Sequence, residues 1–259
     1  MLVDIHNHTK LCNHASGEMD EFVLKAIKNG TKYFGFSDHA PMDFDKKYRM
    51  SFDEMPLYES KVLILKERYS KDLDILLGYE VDYLPGYMDK RVLKAKVDYL
   101  IGSVHFLDGW GFDNPEFIKD YKNRDLDLLW RDYFDAIKDM AKSGLFDIVG
   151  HIDLMKLFNF LPKKDIRVIA QDAIKAIKDA DMVVELNSAG LRKPCKEIYP
   201  GEKLMELISE YEIPITFGSD AHKPEDIGAG AKELLQVVKR FGYKKCAVFK
   251  NRDRELINF

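Results

Sequence analysis

The chain alternates between short, nearly continuous apolar runs and longer segments in which apolar residues recur every three or four positions. Continuous hydrophobicity is typical of parallel strands that are covered on both faces, and the longer period is typical of amphipathic helices. The runs predict seven parallel strands at residues 2–6, 33–37, 75–81, 99–104, 147–150, 183–186 and 215–219. The segments between them predict helices that include residues 19–29, 126–143, 164–179, 201–211 and 226–241, and residues 244–250 predict a last strand.

All seven histidines lie in short motifs near the ends of predicted strands, and none lies on the polar face of a predicted helix. The motifs are DIHNHT, CNHAS, GFSDHA, IGSVHF, IVGHID and FGSDAH. Imidazole is the commonest protein ligand for zinc, iron and related metals. The distribution therefore predicts a site that holds several metal ions.

Repeated strand–helix units within 259 residues predict a single α/β domain, residues 1–259, that forms a closed or nearly closed parallel barrel. An open, doubly wound sheet is the alternative. The histidines favour the barrel, because each motif follows its own strand and only a barrel brings so many strand ends around one centre. In an open sheet the outer strand ends would lie too far apart to share a site.

Composition indicates which cellular compartment and which kinds of partner to expect. The three cysteines are scattered and form no CxxC motif, so neither a disulfide framework nor a thiolate zinc site is indicated, and a reducing cytoplasm is expected. No apolar run is long enough to span a membrane, and because a predicted strand begins at residue 2, no signal peptide is expected. The formal net charge of −4 argues against a nucleic-acid-binding surface.

Two pairs of candidate ligands share a two-residue spacing. His6 and His8 form the first pair, and Asp220 and His222 form the second. Alternate side chains of an extended segment point to the same side, so each pair can serve one site. The alternative for the first pair is a set of ordinary polar residues, but Asp4 adds a third polar group to the same face of an otherwise apolar strand.

Other candidates end or follow single strands. Glu80 ends the run DILLGYE, where a carboxylate is costly unless it binds a metal or, alternatively, a lysine or arginine. Asp82, two residues later, would either contact and orient a metal-ligating side chain or face solvent. His105 and His151 each lie in a motif with a preceding glycine, which lets a ligand approach closely, although either one alone would better fit a core histidine.

Two more histidines and two cations complete the candidates. His39 follows Asp38, which would either orient a ligating imidazole or cap the next helix, and His14 lies in the loop after the first strand. Arg192 and Lys156 follow strand ends, where a cation suits a phosphate group and the arginine fork suits it bidentately. Because exposed arginines and lysines are common, a surface role for either cation stays open.

The motifs DIHNHT, SDHA, GYEVDY, GSVHF, GHIDL, LNSAGLRKP and GSDAH together resemble the PHP (polymerase and histidinol phosphatase) superfamily, and within it the stand-alone histidinol-phosphatase branch. The resemblance runs over nearly the whole chain. It implies a distorted (βα)7, TIM-like barrel with three divalent metal ions, which would be zinc, iron or manganese. The implied ligands are His6, His8, Glu80 and Asp220 for the first ion, Glu80, His105 and His151 for the second, and His14, His39 and His222 for the third.

The resemblance also implies a reaction. Three divalent ions would make a strongly electropositive site that attracts a phosphate monoester, and a hydroxide shared by two ions would attack phosphorus. Arg192 and Lys156 would contact the phosphate, and Asp220 would carry a proton. The expected substrate is the small phosphate monoester L-histidinol phosphate, with no nucleic acid and no membrane as partner.

Two alternatives stay open in the sequence. One is a phosphoesterase of the same superfamily that acts on nucleotides, DNA ends or phosphotyrosine protein. The other is a metal-binding domain without enzymatic activity, against which the complete set of ligands argues.

Overall fold

The computed structural model describes residues 1–259. Its strands are β1 (Val3–Asp4), β2 (Tyr33–Phe36), β3 (Asp74–Asp82), β4 (Tyr99–Ser103), β5 (Phe106–Leu107), β6 (Trp110–Gly111), β7 (Ile148–Val149), β8 (Val183–Asn187), β9 (Ile215–Gly218), β10 (Lys245–Lys250) and β11 (Asp253–Asn258). Its α-helices are α1 (Met19–Lys28), α2 (Met55–Arg68), α3 (Lys90–Leu93), α4 (Leu126–Lys142), α5 (Ile166–Asp179), α6 (Glu202–Glu210) and α7 (Ala231–Arg240). None of the helices combines the length and the apolar character needed to cross a membrane.

Seven parallel strands form the central sheet in the order β1, β2, β3, β4, β7, β8, β9. The sheet curls until its last strand meets its first: the Ile5 N–H donates to the Phe217 carbonyl oxygen at 3.0 Å, and Asn7 pairs in parallel with Ala221. The predicted (βα)7 barrel is therefore confirmed, with all seven of its predicted strands. Because the strands are parallel, their carboxyl ends open at one mouth of the barrel.

A buried carboxylate holds the closure between β1 and β9. Asp4 accepts hydrogen bonds from the Ser219 N–H and hydroxyl, each at 2.8 Å, and from the Gly228 N–H at 3.1 Å. Burial raises the pKa of the Asp4 carboxyl to about 6, although these hydrogen bonds lower it. Asp4 thus ties the first strand to the last and to the segment before α7, which explains a polar residue in the interior next to His6.

A tyrosine in the barrel requires small residues on the neighbouring strands. The Tyr99 hydroxyl on β4 donates to the Ile5 carbonyl oxygen at 2.6 Å. A Cβ atom added to Gly35 on β2 would lie 2.1 Å from that hydroxyl, and one added to Gly78 on β3 would lie 2.5 Å from the ring. These two glycines therefore make room for the side chain that links β4 to β1.

The structure departs from the predicted elements in three places. Helix α2 was not predicted, because its apolar residues are spread around its circumference and several of them, such as Leu63 and Ile64, are exposed. Helix α7 begins at Ala231 and not at residue 226, because Gly228 and Gly230 adopt positive φ angles of 68° and 74°. Strand β10 was predicted, but it pairs antiparallel with β11 outside the barrel sheet.

Candidate metal centre and substrate cavity

All nine predicted metal-ligand residues lie together at the mouth of the barrel. They lie in or after six different strands, so the parallel topology brings residues that are far apart in sequence into one cluster. The cluster comprises His6, His8 and His14 after β1, His39 after β2, Glu80 in β3, His105 after β4, His151 after β7, and Asp220 and His222 after β9.

Glu80 lies at the centre of this cluster. Its Oε1 atom is 2.8 Å from the Nε2 atom of His151 and 3.7 Å from that of His105. Its Oε2 atom is 3.4 Å from the Nε2 atom of His6 and 3.0 Å from the Nδ1 atom of His39. The two carboxylate oxygens thus face two different sets of imidazoles, which is the arrangement that a carboxylate bridging two ions requires.

The possible ligand atoms fall into five overlapping sets, each with all its atoms within 4.8 Å of one another. Two of them are His6, His151 and Asp220, and His8, Cys12 and His222. Of the other three, which match the predicted ligand groups, the first combines a carboxylate with two imidazoles from the segment after β1, the second shares that carboxylate, and the third contains only imidazoles. Their members are His6, His8 and Glu80; Glu80, His105 and His151; and His14, His39 and His222. Asp220 adjoins the first set, with its Oδ1 atom 3.1 Å from the Nε2 atom of His8.

Several buried nitrogens in the cluster make no hydrogen bond. They are the Nε2 atom of His6, both ring nitrogens of His8 and the Nδ1 atom of His151. In the third set, the Nε2 atoms of His14 and His222 face each other at 3.0 Å. Buried polar atoms are nearly always satisfied in native proteins, so these orphaned nitrogens indicate missing partners. Imidazole and carboxylate donors suit zinc, iron and manganese, and the residues therefore fit a centre of such ions.

The clustered groups shift one another's pKa values in the metal-free chain. Burial raises the pKa of the Glu80 carboxyl, but the adjacent imidazoles, His6 foremost, lower it more, and it lies well below its ordinary value. Burial lowers the pKa of His8 and His105, but neighbouring carboxylates raise these two to about 9 and about 10. Burial lowers the pKa of His39 to about 4, since the Glu80 carboxylate offsets only part of that effect.

A second layer of carboxylates orients the imidazoles. The Nδ1 atom of His6 is 2.7 Å from Oε1 of Glu185, and the Nδ1 atom of His105 is 2.6 Å from Oδ1 of Asp82. A carboxylate on Nδ1 fixes the ring and leaves Nε2 free to bind a metal. Of the two possibilities left open for Asp82, the structure shows a buried side chain that contacts His105 and not one that faces solvent, and Arg49 donates to its other oxygen at 2.8 Å.

Glu185 is the functional residue that the sequence reasoning missed. A signal was present, because Glu185 interrupts the apolar run VVELN in the same way that Glu80 ends DILLGYE. Of the two roles considered for Asp38, the structure supports the orientation of an imidazole, because its Oδ1 atom lies 3.4 Å from the Nδ1 atom of His8 and accepts the His39 N–H at 2.9 Å. The prediction that it caps the next helix is wrong, since the next helical segment begins at Lys46.

Two residues of the centre have strained backbones. His151 and Asp220 have positive φ angles of 21° and 51°, which non-glycine residues rarely adopt. Such strain persists only where the surrounding structure determines it, and it concentrates at functional sites. For His151 the determinant is visible, because its N–H donates to Glu185 at 2.9 Å.

A cavity of about 530 Å³ lies over the metal-ligand cluster. Arg192 is one of its lining residues, in a short helical turn after β8. Its Nη2 atom donates to the carbonyl oxygens of Ser219 at 2.7 Å and Asp220 at 3.2 Å, and its Nε atom lies 3.5 Å from a carboxylate oxygen of Asp226. Its Nη1 atom is buried without a partner. The guanidinium is therefore anchored on one side and has a free donor on the other.

The prediction that Lys156 contacts a phosphate at the mouth is wrong. Lys156 does not line the cavity, and only 3% of it is exposed. Its Nζ atom lies 2.9 Å from a carboxylate oxygen of Asp153, donates to Glu197 at 2.8 Å, and donates to the Ile198 carbonyl oxygen at 2.7 Å. Two carboxylates and a carbonyl thus satisfy the ammonium, which holds the segment before α6 in place.

Comparisons with known proteins agree with this geometry. The PHP domain matches residues 4–189, and the PHP-associated region matches residues 202–239. A probable histidinol-phosphatase of Deinococcus radiodurans is 38% identical over 246 residues, which cover 93% of this chain and 94% of that protein. The histidinol-phosphatase of Bacillus subtilis is 28% identical over 265 residues, which cover 90% of this chain and 98% of that protein.

Solved structures share the fold. A candidate histidinol phosphatase of Listeria monocytogenes superimposes with a TM-score of 0.80 at 30% identity, over 89% of this chain and 98% of that chain. The histidinol phosphate phosphatase of Lactococcus lactis, solved with zinc, L-histidinol and phosphate, has a TM-score of 0.79 over 98% of both chains. Because the two sequences are only 19% identical, this likeness shows a common fold and nothing more. The PHP domain match covers more than half of the residues of this protein, and the chain therefore belongs to the PHP domain family.

Proposed function

We propose that this protein is a metal-dependent phosphatase that hydrolyses L-histidinol phosphate to L-histidinol and inorganic phosphate. The observation that carries the proposal is the cluster of nine histidine and carboxylate side chains beneath a cavity that a partly unpaired arginine also lines. The named activity of the Deinococcus and Bacillus relatives supports the substrate, because each aligns with at least 90% of this chain.

The ligand assignment follows the three sets of atoms. His6, His8, Glu80 and Asp220 would hold one ion, Glu80 with His105 and His151 would hold the second, and His14, His39 and His222 would hold the third. When bound, the ions would supply positive charge that attracts the phosphate dianion and favours ionisation of a water molecule. The Nε2 atom of His6, both ring nitrogens of His8 and the Nδ1 atom of His151 lack protein hydrogen bonds, which supports this assignment.

Arg192 would bind the non-bridging phosphate oxygens. Its bonds to the Ser219 and Asp220 carbonyl oxygens fix the plane of the guanidinium, and its buried Nη1 group lacks an acceptor until a phosphate arrives. A charge-assisted hydrogen bond of this kind is short and geometrically selective.

Asp220 would carry the proton. Burial raises the pKa of its carboxyl, but the imidazoles of His6 and His8 lower it well below its ordinary value, so the group is ionised at neutral pH. The ionised carboxylate would take up the proton of the attacking water only transiently, and its low pKa would favour transfer of that proton to the alkoxide that leaves when the P–O bond breaks. One proton of the water thus ends on the alcohol and the other stays on the phosphate, so Asp220 is again ionised at the end of the turnover.

The test is phosphate release from a panel of esters by metal-loaded protein. We expect a kcat/KM for L-histidinol phosphate at least about 100-fold above those for p-nitrophenyl phosphate, nucleoside monophosphates and a phosphotyrosine peptide, since the amine and imidazole add recognition to the phosphate. Chelator treatment should abolish the activity, and zinc, manganese or iron(II) should restore it. Equal or faster hydrolysis of nucleotides or phosphopeptide, or full activity without metal, would overturn the proposal.

A matched pair of variants tests the phosphate contact. Arg192→Ala should lower kcat/KM by about 10- to 150-fold with unchanged metal content, and Arg192→Lys should recover only part, because the point charge returns without the fork. Arg131→Ala, at an exposed position on α4, is the control and should behave as wild type. An unchanged kcat/KM in Arg192→Ala would remove Arg192 from the site.

A further inference from the structure

The cavity over the metal cluster is divided into two chemically different sides. One side presents cations from the segments after β8 and β9, namely Arg192, Lys193 and Lys223. The other side comes from the segments after β4 and β7 and presents apolar side chains, among them Phe106, Leu154 and Leu157. In the ring of seven strands, β4 is two places from β8 and three from β9, so the segment after β4 faces the cations across the mouth, and the segment after β7 lies between them.

One carboxylate on the apolar side has no partner. Asp113 lines the cavity, and its side chain makes no ion pair and no hydrogen bond with another residue. The other acidic residues of the wall are engaged, as Asp45 and Asp82 are by Arg49, and Asp226 by Arg192.

Asp113 is also partly withdrawn from water, at the foot of the β5–β6 hairpin. Burial raises the pKa of its carboxyl, and the charge of His105 offsets only part of that effect. A carboxylate in such surroundings is stabilised when a cation binds beside it, because the bound cation replaces the lost hydration.

We propose that Asp113 determines substrate specificity by accepting a hydrogen bond from the ammonium group of the substrate, an inference that rests on the proposed phosphatase function. L-Histidinol phosphate carries its phosphate at one end, its imidazole at the other and its amine on the carbon between them. With the phosphate held on the side of Arg192, the amine reaches the side of Asp113, and the imidazole packs among Phe106, Leu154 and Leu157. The division of the cavity thus matches the division of charge in the substrate.

The test compares Asp113→Asn with wild type on two esters, L-histidinol phosphate and its deamino analogue, using metal-loaded protein. For the natural ester, the variant should lose about 10- to 100-fold in kcat/KM, mainly through a higher KM, because a charge-assisted hydrogen bond is lost. For the deamino analogue, the change should stay below about threefold. The inhibition constant of the product L-histidinol should rise by a similar factor to the KM.

Asp108→Asn is the matched control, because Asp108 lies exposed in the same hairpin and its φ of 50° is one that asparagine also adopts. It should leave both esters unaffected. Equal losses on both esters in Asp113→Asn would assign Asp113 a structural role and overturn the inference, and so would an unchanged KM for L-histidinol phosphate. Neither result affects the proposed phosphatase function, which fails separately if wild-type protein does not hydrolyse L-histidinol phosphate.

Discussion

Replacement of Glu185 by glutamine should weaken metal binding, although Glu185 is not itself a proposed metal ligand. One carboxylate oxygen of Glu185 is 2.7 Å from the Nδ1 atom of His6, and the other accepts from the His151 N–H at 2.9 Å and from the Asn187 side-chain amide at 3.1 Å. Glutamine offers one oxygen and one NH₂ group, so in either orientation an NH₂ group faces a donor.

The expected size of the effect comes from two independent considerations. The loss of a charge-assisted hydrogen bond costs about 1.5–3 kcal/mol. Substitution of a residue that orients a metal-ligating histidine typically lowers metal affinity by about 10- to 100-fold, which is about 1.4–2.8 kcal/mol. The two ranges agree, so Glu185→Gln should lose about 10- to 100-fold in affinity for the ion bound by His6.

Competition with a chelator measures this affinity directly, with zinc as the probe ion. Thermal unfolding with and without zinc separates metal binding from folding, because a pure binding defect reduces only the zinc-induced rise in Tm. Glu210→Gln, at an exposed position of α6, is the control. If Glu185→Gln releases zinc at the wild-type chelator concentration while remaining folded, then Glu185 does not support the metal centre and the reasoning is refuted.

Three further predictions follow from the same geometry. Gly218→Ala should lose metal affinity as Glu185→Gln does, because an added Cβ would lie 2.1 Å from the Glu185 carboxylate; chelator competition measures the loss. Lys156→Met should lower stability by about 3–5 kcal/mol, because it leaves a buried carboxylate unpaired; denaturant unfolding measures this change. Zinc binding at pH 7.5 should release protons, because His8 and His105 have pKa values of about 9 and about 10 in the metal-free chain and are therefore protonated at that pH. Titration calorimetry in buffers of different ionisation enthalpy measures the number of protons released.

Each of these predictions has a contrary result. Wild-type zinc affinity in Gly218→Ala would show that the strand can shift to accommodate the methyl group. Wild-type stability in Lys156→Met combined with a large loss of kcat/KM would return that lysine to the substrate site. A binding enthalpy that does not depend on the buffer would contradict the raised pKa values.

The apparent zinc affinity should also rise with pH up to about 10, since protons and zinc compete for the same nitrogens of His8 and His105.

The barrel and its metal centre could be predicted because both depend on local signals. Apolar runs identify the strands, and a polar residue at the end of such a run, such as Glu80, is costly unless the fold gives it a partner. Parallel topology then brings the strand ends together without any knowledge of side-chain packing. Helix α2 could not be predicted in this way, because exposed apolar residues such as Leu63 remove the helical period that the prediction needs.

The substrate contacts depend on information that local patterns lack. Arg192 and Lys156 both follow strand ends, and their sequence contexts do not distinguish them. In the folded chain, Lys156 meets Asp153 and Glu197, the latter 41 residues away, whereas one nitrogen of Arg192 meets no acceptor. A cation near the mouth is available to a phosphate only where the fold leaves one of its donor groups without an acceptor. The same condition with the charges reversed singles out Asp113, because its carboxylate lines the cavity without an ion pair or a hydrogen bond.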